Sequence, residues 1–297
     1  MKKSNALDRR ETLTGYAFIM PYVLLFFVFT GIPFIFSIVL SFTDMTYLTK
    51  MDSMSFVGLK NFINMFHNKE VMAALGRTGI YSLVYVPLIM VLGLALALLL
   101  NKGVYFKGAI RGMVFLPYVS NMVAVAVIFK LLLGPGGPLV TLMKSVGISE
   151  PPLLLLSDKL ALPTVAAIAV WKGVGLNMLT YLGALQNVPT ELEEAAQIDG
   201  ANKWQRIKNV VIPMLSPTTF FLIISSIITS LQNFTVIQSL TEGGPGQSTT
   251  VMALSIVRTA FVKYQTGFAS AQAMVMFAIV MIITLIQWRG QQKWVNY

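Results

Sequence analysis

The chain has 297 residues, 56% of them hydrophobic and 11% charged, with a mean hydropathy of +0.72. Soluble domains carry about 25% charged residues. This is therefore the composition of a membrane protein, and the net charge of +10 is what Lys- and Arg-rich flanks of membrane helices produce, not a nucleic-acid footprint. There is no cysteine, which excludes disulfides, thiol catalysis and Cys-ligated metal sites.

In chain order, Met1-Lys2-Lys3 and Arg9-Arg10 imitate the charged head of a secretory signal. The apolar run behind them is too long for one, and no small-residue cleavage site follows, so it reads as a first span that stays. A hydrocarbon core of about 30 Å needs roughly 20 residues of helix. Six stretches qualify: Tyr16–Phe42, Gly79–Leu100, Met113–Leu133, Ala161–Leu185, Pro217–Ile237 and Phe268–Trp288. The predicted fold is all-α, a polytopic membrane protein with six transmembrane helices in a single domain over 1–297.

An even number of spans places both termini on one side. If that side is the cytoplasm, the inside segments 1–15, 101–112, 186–216 and 289–297 hold 12 basic residues, and the longer outside segments 43–78, 134–160 and 238–267 hold 8. The bias favours cytoplasmic N and C termini. In the first outside loop, Val57–Phe66 has apolar residues at helical spacing, which fits a helix along the outer interface or one packed on its own protein. His67, the only histidine, follows it; one histidine builds no His-metal cluster and reads as a surface residue. Gly134-Pro135-Gly136-Gly137-Pro138 is a turn cluster. Gly243–Thr249 resembles a phosphate loop but lacks the Gly-Lys-Ser/Thr ending, so the chain has no nucleotide site of its own.

All 12 acidic residues fall outside the six spans. Ion-coupled carriers commonly keep a carboxylate within the membrane, so the alternative of a self-contained secondary sugar carrier is disfavoured. No nucleophile–base pair is present, and no catalytic or metal-ligating residue is assigned. The fifth span carries Ser226, Thr229, Ser230 and Asn233 at i, i+3, i+4 and i+7, one helix face that either packs on another helix or lines a watery cavity. The third span carries Tyr118 and Asn121. The fourth carries Lys172 near its middle, where a lysine costs about 2.5–3.5 kcal/mol on insertion scales. Asn121, Lys172 and Ser226–Ser230 count to a similar depth, where transport sites commonly lie. Hydroxyls, an amide and an aromatic face suit a sugar. Lys172 either snorkels or pairs with a partner subunit, or it faces an electronegative substrate such as a uronate.

The longest charged island is 186–216. Thr190-Glu191-Leu192-Glu193 reads as a capped helix start, Gly200 permits a bend, and Trp204, Arg206 and Lys208 continue a second piece that Pro213 and Pro217 break. Glu194-Ala195-Ala196, Gly200, Val210, Ile212 and Pro213 resemble the EAA loop of permease subunits of bacterial ATP-binding-cassette (ABC) importers. Asp199-Gly200-Ala201 and Trp204-Gln205 narrow the resemblance to the carbohydrate-uptake, maltose-type group. Phe56–Phe62, Leu116-Pro117-Tyr118, Trp171-Lys172 with Gly175, and Leu240–Pro245 extend it along the chain.

The resemblance implies the type I importer permease fold in the bacterial cytoplasmic membrane. It assigns ATPase coupling to Glu194, Ala195, Ala196, Asp199 and Gly200. It assigns sugar contacts to Tyr118, Met122, Ala169, Lys172, Gly173, Ser226, Thr229 and Ser230, to which the depth argument adds Asn121 and the polar face of the fifth span adds Asn233. Met122, Ala169 and Lys172 depart from the maltose pattern, which points to a sugar-type ligand other than maltose. The implied partners are a second homologous permease in a heterodimer, two ABC ATPase subunits, an extracytoplasmic solute-binding protein, the sugar and the lipid bilayer, with no nucleic acid. No cofactor is expected in this chain; ATP and Mg belong to the partner ATPases.

Overall fold

The computed structural model describes residues 4–46, 54–101 and 105–294, with side chains over the described part of 11–290. Lys2, Lys3, Lys50 and Lys102 and the side chains of Arg9, Arg10 and Lys293, all counted in the orientation argument, lie outside the described residues. In chain order the helices are α1 Ser4–Phe26, α2 Ile32–Ser41, α3 Lys60–His67, α4 Lys69–Asn101, α5 Lys107–Val119, α6 Met122–Leu133, α7 Pro138–Ser145 and α8 Ala161–Leu185. There follow α9 Thr190–Ile198, α10 Lys203–Arg206, α11 Ile212–Met214, α12 Ser216–Leu231, α13 Thr235–Leu240, α14 Met252–Phe261 and α15 Thr266–Trp294. Among the described residues the only β pairing is an isolated bridge between Thr43 and Phe56.

Among the described residues, five helical stretches are long and apolar enough to cross a membrane, or six if the bent pair Lys203–Met214 and Ser216–Leu231 counts as one. The five are Glu11–Ser41, Lys69–Asn101, Met122–Ser145, Ala161–Leu185 and Thr266–Gly290. The chain divides into two compact units, one of Met1–His67 with Ile256–Val275 and one of Asn68–Ser255 with Met276–Tyr297.

In the first unit, α1 and α2 run through a π-helical turn at Phe27–Gly31 as one span whose side chains are almost all exposed within the chain. An apolar helix so uncovered must meet lipid or another chain. After α2 the chain turns back, and the buried Asn61 of α3 closes the turn by donating to the carbonyls of Ser41 (3.0 Å) and Thr43 (2.7 Å). These carbonyls stand past the last helical hydrogen bond, so the amide supplies donors the helix end lacks. Met65 is buried on the same side of α3, while Leu59, Ile63 and Phe66 are exposed. The Val57–Phe66 segment thus packs one side on its own unit and leaves an apolar side open.

In the second unit, α8 is the core helix. Fourteen of its residues are buried, from Ala161 to Leu185. It packs most extensively on α4 and α5. Small residues permit this closeness: a Cβ on Gly93 of α4 would stand 2.9 Å from the Asn177 Cβ, and one on Gly175 would overlap the Val114 carbonyl of α5.

Two expected spans are divided. Met113–Leu133 is not one helix: α5 ends at Val119, Ser120 and Asn121 are extended, and Asn121 Oδ1 accepts from Val123 N–H (2.8 Å) to start α6. The apolar stretch then continues through the Gly134–Gly137 turn into α7, so the crossing segment is Met122–Ser145. Pro217–Ile237 is broken too, with α12 ending at Leu231 and α13 starting at Thr235. Both breaks fall at residues that favour caps over helix interiors, Ser120-Asn121 in one and Asn233 in the other. In the charged island, Thr190 is the first helical residue and Pro189 holds the cap position. Pro213 sits at a helix start and breaks nothing; the chain bends by 68° at Leu215, just before Pro217.

Candidate functional site

A cavity of about 380 Å³ lies in the second unit where α4, α5, α8 and the α12–α13 break converge. Its walls combine the rings of Tyr85, Tyr118 and Phe234 with the polar groups of Lys172, Thr229, Gln232 and Asn233, over Ala169 and Gly173. Aromatic faces with a few convergent polar groups are the usual make-up of a small-molecule site.

Each wall has a local cause. Tyr85 stacks on the fully buried Tyr81, with centroids 5.8 Å apart and planes 10° from parallel. The Asn233 Nδ2 donates to Tyr81 Oη (2.6 Å), and the Asn233 Oδ1 accepts from Val236 N–H (3.3 Å). Asn233 therefore pins the α12–α13 break to α4. Gly173 lets Tyr85 approach, since a Cβ there would lie 3.2 Å from the Tyr85 hydroxyl and 3.1 Å from Ile89. Lys172 reaches across to α5, where its Nζ donates to the carbonyls of Pro117 (3.1 Å) and Tyr118 (2.8 Å).

The structure brings Tyr118, Ala169, Lys172, Gly173, Thr229 and Asn233 into one lining. It does not bring the others there. Asn121 is spent on the α6 cap, and Met122 is buried in the core. Ser226 is buried, and Ser230 is hydrogen-bonded to Ser82 Oγ (2.9 Å) and the Ile227 carbonyl (2.8 Å). The polar stripe of the fifth span is thus split. Ser230 joins α12 to α4, Thr229 faces the cavity, and Asn233 lies beyond the helix end. Tyr85, Gln232 and Phe234 were not singled out from sequence. Two tyrosines one turn apart in an otherwise aliphatic span, Tyr81 and Tyr85, were the available signal.

The other lysine within an expected span, Lys130, has a carboxylate: its Nζ lies 3.7 Å from Glu242. Both side chains are well exposed, so the pair contributes at most about 1 kcal/mol. In the Gly243–Thr249 loop, Thr249 Oγ1 donates to the Gly244 carbonyl (2.9 Å), and the adjoining Thr250 Oγ1 donates to that of Gly243 (3.1 Å). Among the described residues no cluster of His, Asp or Glu stands close enough to hold a metal.

The charged island is a helix–turn–helix fixed by three devices. Gly200, at φ +82°, terminates α9 with paired bonds from Gly200 N–H to the Gln197 carbonyl (3.1 Å) and Ala201 N–H to the Ala196 carbonyl (2.9 Å), the Schellman pattern. Asn202 and Gln205 form a reciprocal capping box at the start of α10. Arg206 Nη1 donates to Gln197 Oε1 (2.6 Å), tying the two helices. Glu194, Ala195, Asp199 and Gly200 remain exposed on this rigid support, and Ala196 is half-buried.

A family model for the inner membrane component of binding-protein-dependent transport systems matches residues 89–295. The chain belongs to this family. The permease is 37% identical over its whole length to a probable ABC transporter permease protein, YesP, of Bacillus subtilis (strain 168), covering 96% of that protein. It is 33% identical to the lactose transport system permease protein LacF of Rhizobium radiobacter, over 95% of this chain and 94% of that one. It is 32% identical to the sn-glycerol-3-phosphate transport system permease protein UgpA of Agrobacterium fabrum, over 82% and 84%. A chain in the crystal structure of a bacterial alginate ABC transporter, in complex with an alginate pentasaccharide-bound periplasmic protein, has the same fold. Its TM-score is 0.85 at 22% identity, over 96% of each chain. The permease is accordingly a non-catalytic, multi-pass component of the inner membrane that works with ATPase and solute-binding partners.

Proposed function

We propose that this permease forms half of the pathway of an ATP-driven carbohydrate importer, that its cargo carries a carboxylate, and that α9 is where the ATPase acts. The observation that carries the cargo assignment is Lys172. It lines an aromatic-walled cavity and makes no ion pair among the described residues. Tyr118, Tyr85 and Phe234 offer ring faces to a pyranose, and Thr229 and Gln232 offer hydrogen bonds to its hydroxyls. A named lactose permease among the relatives and an alginate importer among the structural neighbours are consistent with a sugar. Alginate is itself an acidic polysaccharide.

The rest of the assembly follows from the same reading. ATP and Mg sit on two partner ATPases, a second homologous permease completes the pathway, and a solute-binding protein loads it from outside. Thr229 faces the sugar cavity and also edges an apolar hollow along α12 formed by Pro217, Phe221, Ile224 and Ile228. The second permease is expected to cover that hollow. Cytoplasmic termini, supported by the basic-residue bias, put α9 on the ATPase side.

The test is transport by the reconstituted complex. Lys172→Gln removes a charge-assisted hydrogen bond worth about 1.5–3 kcal/mol. Uptake of an oligouronate is expected to fall by roughly ten- to a hundredfold in kcat/KM, with uptake of a neutral oligosaccharide changed much less. Unchanged oligouronate uptake rejects the acidic-cargo reading. A self-contained ion-coupled carrier is the alternative; it purifies alone and transports without ATP, whereas the permease is expected to purify with an ATPase.

A further inference from the structure

The break in the third span and the lysine of the fourth are one device. The last turn of α5 has no basic residue of its own. A helix end leaves its final carbonyls without donors and carries partial negative charge. Ser120 meets part of this need, its Oγ donating to the Leu116 carbonyl (2.9 Å) and its N–H to that of Pro117 (3.3 Å). Lys172 supplies two further donors from another helix, to the carbonyls of Pro117 and Tyr118. The ammonium also stands 5.9 Å from the centre of the Tyr118 ring. Its reach is set by Gly175, three residues along α8, which lies directly against the backbone of Val114 and Phe115.

Carbonyl oxygens hold an ammonium but do not neutralise it. An ammonium has three N–H donors, and only two are engaged on α5. The third belongs to a side chain that lines the cavity. A carboxylate entering there offers Lys172 a full opposite charge, a stronger partner than two neutral acceptors. We infer that Lys172 is a staple with two partners: it holds the C-terminal end of α5 to α8, and an anionic sugar competes for it, draws it off and frees that end. The cargo's charge, not its ring, would then report occupancy to α5, whose joint with α6 at Ser120–Asn121 is already extended. This rests on the acidic-cargo reading above, but the stapling half stands without any cargo.

The absence of cysteine makes the test direct. Spin labels on Val119→Cys, at the exposed end of α5, and Leu176→Cys, on an exposed position of α8, report the gap in the reconstituted transporter. With no sugar present, a narrow distance distribution is expected for the native lysine and for Lys172→Arg, and its loss for Lys172→Met. Methionine inserts more readily than lysine, so the variant reaches the membrane. Adding an oligouronate is expected to shift the native distribution toward that of Lys172→Met, while a neutral oligosaccharide of equal length leaves it in place. A narrow distribution in Lys172→Met overturns the staple. An unmoved native distribution, under conditions where the oligouronate is transported, overturns the exchange. Should the oligouronate not be transported at all, the acidic-cargo reading and the exchange fall together, and the sugar-free comparison still decides the staple.

Discussion

Reversing the charge at Glu194 is expected to abolish uptake while leaving the permease inserted and folded. Glu194 is exposed on α9 and makes no polar contact with the described residues of its own chain. Exposed positions without partners usually tolerate substitution within about 0.5 kcal/mol, so Glu194→Lys has little to damage inside the permease. Its effect on transport is therefore a measure of a contact with another protein. Setting like charges against each other at an interface costs several kcal/mol, and about 3 kcal/mol is already about a hundredfold in binding. The measurements are vesicle uptake, ATP hydrolysis by the purified complex, and membrane yield of the variant. The expected result is near-native yield, lost uptake and hydrolysis no longer tied to sugar. Native uptake by Glu194→Lys would remove α9 from the coupling path.

Gly200→Pro gives the same answer by another route. Proline fixes φ near −65° and has no N–H, whereas position 200 needs φ +82° and donates to Gln197. The Schellman end of α9 is lost, but the capping box at Asn202 and the span beyond are untouched. α9 then keeps its residues and loses its orientation. The mechanical link runs from α9 through the Gln197–Arg206 bond into the helical run Lys203–Met214, and through the 68° bend at the buried Leu215 into α12. Thr229 lies 13 residues along α12 from Ser216, or about 20 Å at 1.5 Å per residue. A displacement of α9 thus has a short, stiff path to the wall of the cavity.

The spans and the island were legible in the sequence because both are written in long, redundant patterns: runs of apolar residues for one, acidic first turn, Gly200 and Asn202 for the other. What stayed hidden was decided by single residues. Ser120-Asn121 and Gln232-Asn233 interrupt apolar runs that still average as membrane helix, so a window of about 20 residues passes over them. Depth counting for Asn121 and helical periodicity for Asn233, both along an unbroken helix, then put them in the site for reasons the backbone does not support: Asn121 caps α6, and Asn233 lines the cavity only as the pin of a broken helix. Lys172 was found by its cost in the membrane. Its partners are backbone carbonyls of α5, which no side-chain pattern reveals.

Gly175→Ala is expected to be a strongly damaging single-methyl change at the contact between α8 and α5, and Gly183→Ala on the same helix is its control. A Cβ at Gly183 meets nothing within 4 Å, so the substitution gains helix propensity, about 1 kcal/mol, at no steric cost. A Cβ at Gly175 overlaps the Val114 carbonyl and stands 2.7 Å from the Phe115 Cα. Both obstacles are backbone, so no rotamer change relieves them and α5 must move off α8. Overpacking of this kind costs typically about 1–3 kcal/mol, enough to outweigh the propensity gain. The displacement also pulls the Pro117 and Tyr118 carbonyls from Lys172 and widens the wall that Tyr118 contributes to the cavity. Gly175→Ala is therefore expected to lower the melting temperature of the assembled transporter and to reduce uptake together, while Gly183→Ala leaves uptake native and the melting temperature equal or higher. Equal behaviour of the two variants would mean that α5 and α8 do not approach through Gly175, and the reach of Lys172 to the end of α5 would lose its structural basis.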